Sequence, residues 1–129
     1  QLAQRVGIEK FYKYLELFGM TERTGIDYPG EAYPILQDIN TAGPVGLATM
    51  SYGQGIAVSM VQQLTAICSL GNDGKLMQPR LVKALTDSDG NIIQEFETTE
   101  IRQVISEKTA SEMCLIMESV VSEGGGRYS

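Results

Sequence analysis

The chain has 129 residues, 43% hydrophobic and 20% charged, which is the composition of one globular domain and not of a disordered segment. Sixteen acidic residues against ten basic ones leave a formal charge of −6, and no Lys/Arg run offsets it, so nucleic acid and anionic membrane surfaces are poor partners. There is no His, and the two cysteines, Cys68 and Cys114, are too few for a zinc site or a disulfide scaffold, so neither a metal nor a cofactor is expected.

A first helix is predicted from about Leu2 to Phe18, because Ile8, Phe11, Leu15 and Phe18 recur on one face. Gly7 weakens its middle and Gly19 stands at its end. Residues 20–50 read as a long irregular stretch, since Pro29, Pro34, Pro44 and four glycines interrupt any periodicity. A second helix is predicted over Met60–Leu70, with Ser59 and Gln62 forming a capping box. Its apolar residues, Met60, Val61, Leu64, Ile67 and Cys68, cover more than half its circumference, so it should be the most buried element of the intact protein. Gly71-Asn72-Asp73-Gly74 then turns the chain. Residues 76–86 and 91–97 read as two strands joined by the turn Asp87-Ser88-Asp89-Gly90, a β-hairpin with Pro79 near its entry. A last helix is predicted from Glu107 to Val121, capped by Ser106 and stopped by Gly124 to Gly126; Met113, Ile116, Met117 and Val120 form its apolar face.

Searches for chemistry return mostly structural readings. There is no dinucleotide fingerprint, P-loop or nucleophile elbow, and none of the nine serines is followed three places on by Lys. Lys108-Thr109-Ala110 ends in Ala and lies in a predicted first helical turn, a solvated helix start. Asp87, Asp89 and Asn91 fit the first positions of a calcium loop, but the next required residues are Ile92 and Thr98, so a hairpin turn is the better reading. Cys68 and Cys114 read as small buried hydrophobes. Glu95, Glu97 and Glu100 read as a solvated edge, and Tyr12, Tyr14 and Phe18 as core and rim. No catalytic, cofactor-binding or metal-ligating residue is assigned.

One ordered pattern is more specific. It runs Phe11-Tyr12-Lys13-Tyr14-Leu15, Phe18-Gly19 and Thr24-Gly25-Ile26-Asp27-Tyr28-Pro29-Gly30-Glu31. It continues through Gly43 to Val58, which includes Ser51-Tyr52-Gly53-Gln54-Gly55, then Gln62-Gln63-Leu64, Asn72-Asp73-Gly74 and Pro79-Arg80-Leu81-Val82. This resembles the transpeptidase domain of class B penicillin-binding proteins, in a Gram-positive, clostridia-like form of division or sporulation type. The resemblance implies an α+β fold, here a partial penicillin-binding-protein/β-lactamase-like one: three main helices plus a β-hairpin, with the central sheet strands missing. By the same resemblance, residues 1–129 would lie inside one transpeptidase domain, between its Ser-x-Asn and Lys-Thr-Gly motifs, the first helix beginning just after Ser-x-Asn; the chain itself holds neither of these nor Ser-x-x-Lys. Ser129 would fall shortly before Lys-Thr-Gly. The segment Ser51–Gly55 would lie toward the active-site side, its two glycines permitting tight backbone packing.

By the same resemblance, the longer protein would be a serine D,D-transpeptidase that cross-links peptidoglycan stem peptides through an acyl-enzyme and is acylated by β-lactams. It would be membrane-anchored, with this domain outside the cytoplasmic membrane and division or sporulation cell-wall machinery as partners. The present chain would be soluble and catalytically inert, and would self-associate through exposed core faces. Two other readings stay open: a non-enzymatic β-lactam sensor or dead transpeptidase-like scaffold, and an unrelated acidic interaction module.

Overall fold

The computed structural model describes residues 1–124. The glycine stop at Gly125 and Gly126 and the placement of Ser129 lie outside them. In chain order the elements are α1 (Leu2–Val6), α2 (Ile8–Leu17), β1 (Ile35–Leu36), α3 (Pro44–Met50), β2 (Ile56–Ala57), α4 (Met60–Leu70), β3 (Lys75–Met77), β4 (Ala84–Thr86), β5 (Ile92–Glu95), β6 (Glu100–Gln103) and α5 (Glu107–Ser122). The α+β class is as expected. Among the described residues the strands form three separate antiparallel pairs, β1–β2, β3–β6 and β4–β5, and no larger sheet.

The predicted first helix is two. Gly7 has φ +83° and ψ 157°, a conformation essentially reserved for glycine, so the helical ladder stops there and restarts at Ile8. The irregular stretch also holds more order than its prolines and glycines suggest. Pro44 sits at the first turn of α3, where a missing N–H costs nothing. Ile35 and Leu36 pair with Ala57 and Ile56 across the β1–β2 ladder.

α4 has the predicted bounds and the predicted cap. The Ser59 hydroxyl accepts the Gln62 N–H at 3.1 Å, and Gln62 Oε1 accepts the Ser59 N–H at 2.8 Å. Its packing is the reverse of what hydropathy suggests. The buried stripe is Gln62, Ala66 and Ser69, with Gln62 and Ser69 each 1% exposed, whereas Met60 is 86% and Leu64 62% exposed. Gln62 tolerates this burial because its amide is fully used: Nε2 also donates to the Glu22 carbonyl at 2.6 Å. Ser69 returns its hydroxyl to the Ala66 carbonyl at 2.7 Å, and the small side chains at 66 and 69 let β3 come close. The expectation for α4 concerned the intact protein; within this chain its apolar face is exposed.

The hairpin is present but longer and interrupted. β4 and β5 pair around the 87–90 turn, with Ala84 opposite Glu95 and Leu85 opposite Gln94. The predicted first strand divides at Pro79, however, and β3 pairs with β6, Leu76 opposite Arg102. β6 is absent from the sequence-based reading because Glu100-Ile101-Arg102-Gln103 is mostly polar. Gly74, at φ +79°, leads into β3; a Cβ there would lie 2.2 Å from the Ile105 carbonyl oxygen. α5 begins as predicted, the Ser106 hydroxyl accepting the Thr109 N–H. Its buried residue is Ala110, while Leu115, Ile116 and Val120 are exposed. The buried apolar residues are few: Leu47 and Met50 on α3, Ala66 on α4, Leu76 on β3, Ala110 on α5, and Ala3, Ala42 and Val104.

Candidate functional site

The sequence-derived candidates do not converge. The Ser51 hydroxyl donates to the Ala48 carbonyl at 2.7 Å, so it is spent on its own helix end. Gly53 and Gly55 have φ +92° and +78°. Nothing lies within 4 Å of a Cβ built at Gly53, and only ordinary contacts surround one at Gly55. Left-handed backbone, and not tight packing, is what requires these glycines, which corrects the packing expectation. Tyr52, just before Gly53, is exposed.

Asp87 is committed to its turn. Oδ1 accepts the N–H groups of Asp89 and Asn91 at 3.0 and 2.8 Å, and Oδ2 accepts the Asn91 amide at 2.9 Å. The side-chain and backbone bonds from Asn91 hold its carboxyl below the usual range. Among the described residues no group of three or more His, Cys, Asp or Glu could hold a metal. Lys108 opens α5 and reaches Glu112 at 3.9 Å across one helical turn, a solvated pair as expected. Glu95, Glu97 and Glu100 are exposed, with Glu100 paired to Lys75 at 3.1 Å.

Cys68 and Cys114 are both exposed, not buried. Cys68 lies on the outward side of α4, and the Cys114 Sγ donates to the Leu70 carbonyl at 3.3 Å. Tyr12 is partly buried, and its hydroxyl donates to the Gln37 carbonyl. Burial, and then the nearby Asp38 charge, raise its phenol above the ordinary value.

Two carboxylates quoted in the sequence pattern, but given no role there, organise the loop 24–31. Glu31 closes the loop on itself: Oε1 accepts the Thr24 N–H at 2.7 Å and the Thr24 hydroxyl at 2.6 Å, and Oε2 accepts the Gly25 N–H at 3.1 Å. Desolvation pushes its carboxyl up, but these bonds outweigh it and leave the group below its ordinary value. Asp27 reaches outward, accepting the N–H groups of Leu81 and Val82 at 2.6 and 2.9 Å. Those two bonds are the main reason its carboxyl is held low. Gln78 adds a bond to the Gly25 carbonyl at 2.8 Å. The signal for both roles was an acid inside a Gly/Pro-rich loop, where unpaired backbone N–H groups need an acceptor.

No serine hydroxyl among the described residues is paired with a lysine amine; Ser59, Ser69, Ser106, Ser119 and Ser122 are engaged in caps or in bonds within their own helices. What the residues build is a scaffold with an uncovered apolar side. The model of the penicillin-binding protein transpeptidase domain matches residues 1–129, the whole chain. The chain belongs to this family. Stage V sporulation protein D of Bacillus subtilis is 38% identical over 128 residues, an overlap covering 98% of this chain and 20% of that protein. PbpB of Mycolicibacterium smegmatis is 35% identical over 120 residues, covering 93% of this chain and 18% of PbpB. Penicillin-binding protein 3 of Mycobacterium tuberculosis in its apo form superposes with a TM-score of 0.81 at 32% identity, over 93% of this chain and 27% of that one. The same protein complexed with ampicillin gives a TM-score of 0.81 at 32% identity, over 93% of this chain and 26% of that one. The chain spans about a fifth of the length of these curated relatives. The fold is shared with chains several times longer.

Proposed function

We propose that this chain forms the helical and hairpin part of a serine D,D-transpeptidase domain that cross-links peptidoglycan, lying between the Ser-x-Asn and Lys-Thr-Gly motifs. The observation that carries this reading is the match of the transpeptidase model to every residue of a chain whose sequence holds none of the three motifs. Named relatives support the activity: PbpA of Mycolicibacterium smegmatis is a peptidoglycan D,D-transpeptidase, and the mycobacterial structural neighbour is seen with ampicillin and with aztreonam. In the complete domain a neutral lysine beside the serine serves as base, which is how the chemistry proceeds without histidine. Stem peptides and β-lactams are then its substrates and inhibitors, division or sporulation cell-wall machinery its partners, and a membrane anchor holds it outside the cytoplasmic membrane. The chain by itself is inert.

The test is intact-mass spectrometry after incubation with ampicillin, applied to this chain and to the full open reading frame that encodes it. The expected result is no adduct on the chain and one covalent ampicillin on the longer protein, with Ser-x-x-Lys and Ser-x-Asn upstream and Lys-Thr-Gly downstream. An adduct on the chain alone overturns its inertness. A longer protein that lacks the motifs and takes no adduct overturns the enzymatic reading in favour of a scaffold.

A further inference from the structure

The long hairpin from β3 to β6 is paired at its base and at its tip but split between them. The Gln78 N–H donates to the Thr99 carbonyl at 2.9 Å and the Phe96 N–H to the Lys83 carbonyl at 3.0 Å. Between these two bonds the arms part. On one arm Leu81 and Val82 give their N–H groups to the Asp27 carboxylate, which stands in for a strand partner. On the other arm Glu97 and Thr98 make no backbone hydrogen bond among the described residues. The opening is a cleft of about 370 Å³ whose apolar wall is Pro79, Val82, Leu85 and Phe96, within the size range of small-ligand and peptide sites.

We propose that this split is a docking groove for an extended peptide segment of another protein, one that carries an apolar side chain flanked by Lys or Arg. An extended strand would pair with the open backbone at Glu97 and set its apolar side chain on the Val82–Leu85–Phe96 wall. The charges select the flanking residues. Asp27 is already spent on two N–H groups, so the uncommitted acid lining the cleft is Glu97, with Glu95 exposed on the same arm. Arg80 also lines the cleft with its Nη1 enclosed without an acceptor, and its charge acts on Asp27, which leaves Glu97 as the acid not offset. A second copy of this chain, at −6, has the wrong overall charge for the role.

The experiment is photo-crosslinking with the acetylated, amidated pentapeptide Lys-Val-X-Val-Lys, where X is p-benzoylphenylalanine, followed by peptide mapping. It is run on the 129-residue chain and on the full-length protein, alongside the same peptide with Glu in place of both lysines. Labelling is expected on residues 79–85 or 96–99 in both proteins, and weaker with the Glu peptide. Glu97→Lys, an exposed change that leaves the circular dichroism spectrum intact, should cut labelling by about fivefold, the worth of one solvent-exposed charge contact. Labelling confined to α4 or α5, equal labelling by the Glu peptide, no effect of Glu97→Lys, or no labelling at all overturns the proposal. Ampicillin acylation of the full-length protein is independent of the groove and stays unchanged either way.

Discussion

Single side chains fix loop 24–31 and the join between α2 and α4. Asp27 and Glu31 are both held below their ordinary pKa in the folded chain. Their stabilisation is therefore complete above the unfolded-state value of about 4 and is lost as pH falls through the lower folded value. Wild-type thermal stability should decline on acidification below about pH 4, and Asp27→Asn, which keeps one acceptor but loses the charge, should flatten that decline. Melting temperatures at pH 3 and pH 6 check it; an unchanged pH slope in the variant would remove Asp27 from the account. Gln62 is the other such residue. Its amide joins the α4 cap to the Glu22 carbonyl while fully buried. Gln62→Leu should cost about 2 kcal/mol, because it orphans the Ser59 N–H and the Glu22 carbonyl together; denaturant unfolding at constant slope measures it.

At the scale of elements, caps and breaks decide where helices lie. Ser59→Ala should lower stability by about 1 kcal/mol, read from the same unfolding curves. Gly74→Ala should do far more damage, since the new Cβ meets the Ile105 carbonyl oxygen at 2.2 Å on a left-handed backbone. Loss of a cooperative melt is the expected outcome, and a melt within 2 °C of wild type, roughly the shift of a mild surface change, contradicts it. The same elements show what sequence can and cannot display. α4 and α5 were legible to within a residue because Ser59 with Gln62 and Ser106 are local signals, read within one turn. The Asp87–Gly90 turn was legible for the same reason. Gly7 was seen as a weakness but not as a break, because one glycine within an apolar-periodic run does not display its φ. β6 and α3 were missed because pairing with β3 and a proline at the first helical turn override a polar or Pro-rich composition. The loop latch was illegible because the N–H groups Asp27 satisfies lie 54 and 55 residues further along the chain.

Over the whole molecule, the apolar side chains of α4 and α5 face outward while polar Gln62 and Ser69 face in. Leu64, Ile67, Leu115, Ile116 and Val120 are all exposed, and such a surface is unfavourable in water. We therefore propose self-association for the isolated chain. Sedimentation velocity should show reversible oligomers whose fraction rises with concentration, together with enhanced fluorescence of an apolar dye. The double change Leu64→Glu and Ile67→Glu should shift the chain toward monomer. A monomer at high concentration without dye binding would mean that these helices have closed on something within the chain. No helix among the described residues is long and apolar enough to cross a membrane.

The Asp27 tie to Leu81 and Val82 also bears on the order of events during folding. It closes a loop of more than 50 residues, whereas the caps of α4 and α5 close within four. Long closures cost more chain entropy and form late, after local helices and the β4–β5 turn. Removing the tie should then leave the refolding rate nearly unchanged and speed unfolding, the signature of a contact made on the native side of the barrier. Stopped-flow chevrons of wild type and Asp27→Ala would show the difference on the unfolding limb alone, so the latch governs how long this scaffold persists more than how quickly it forms.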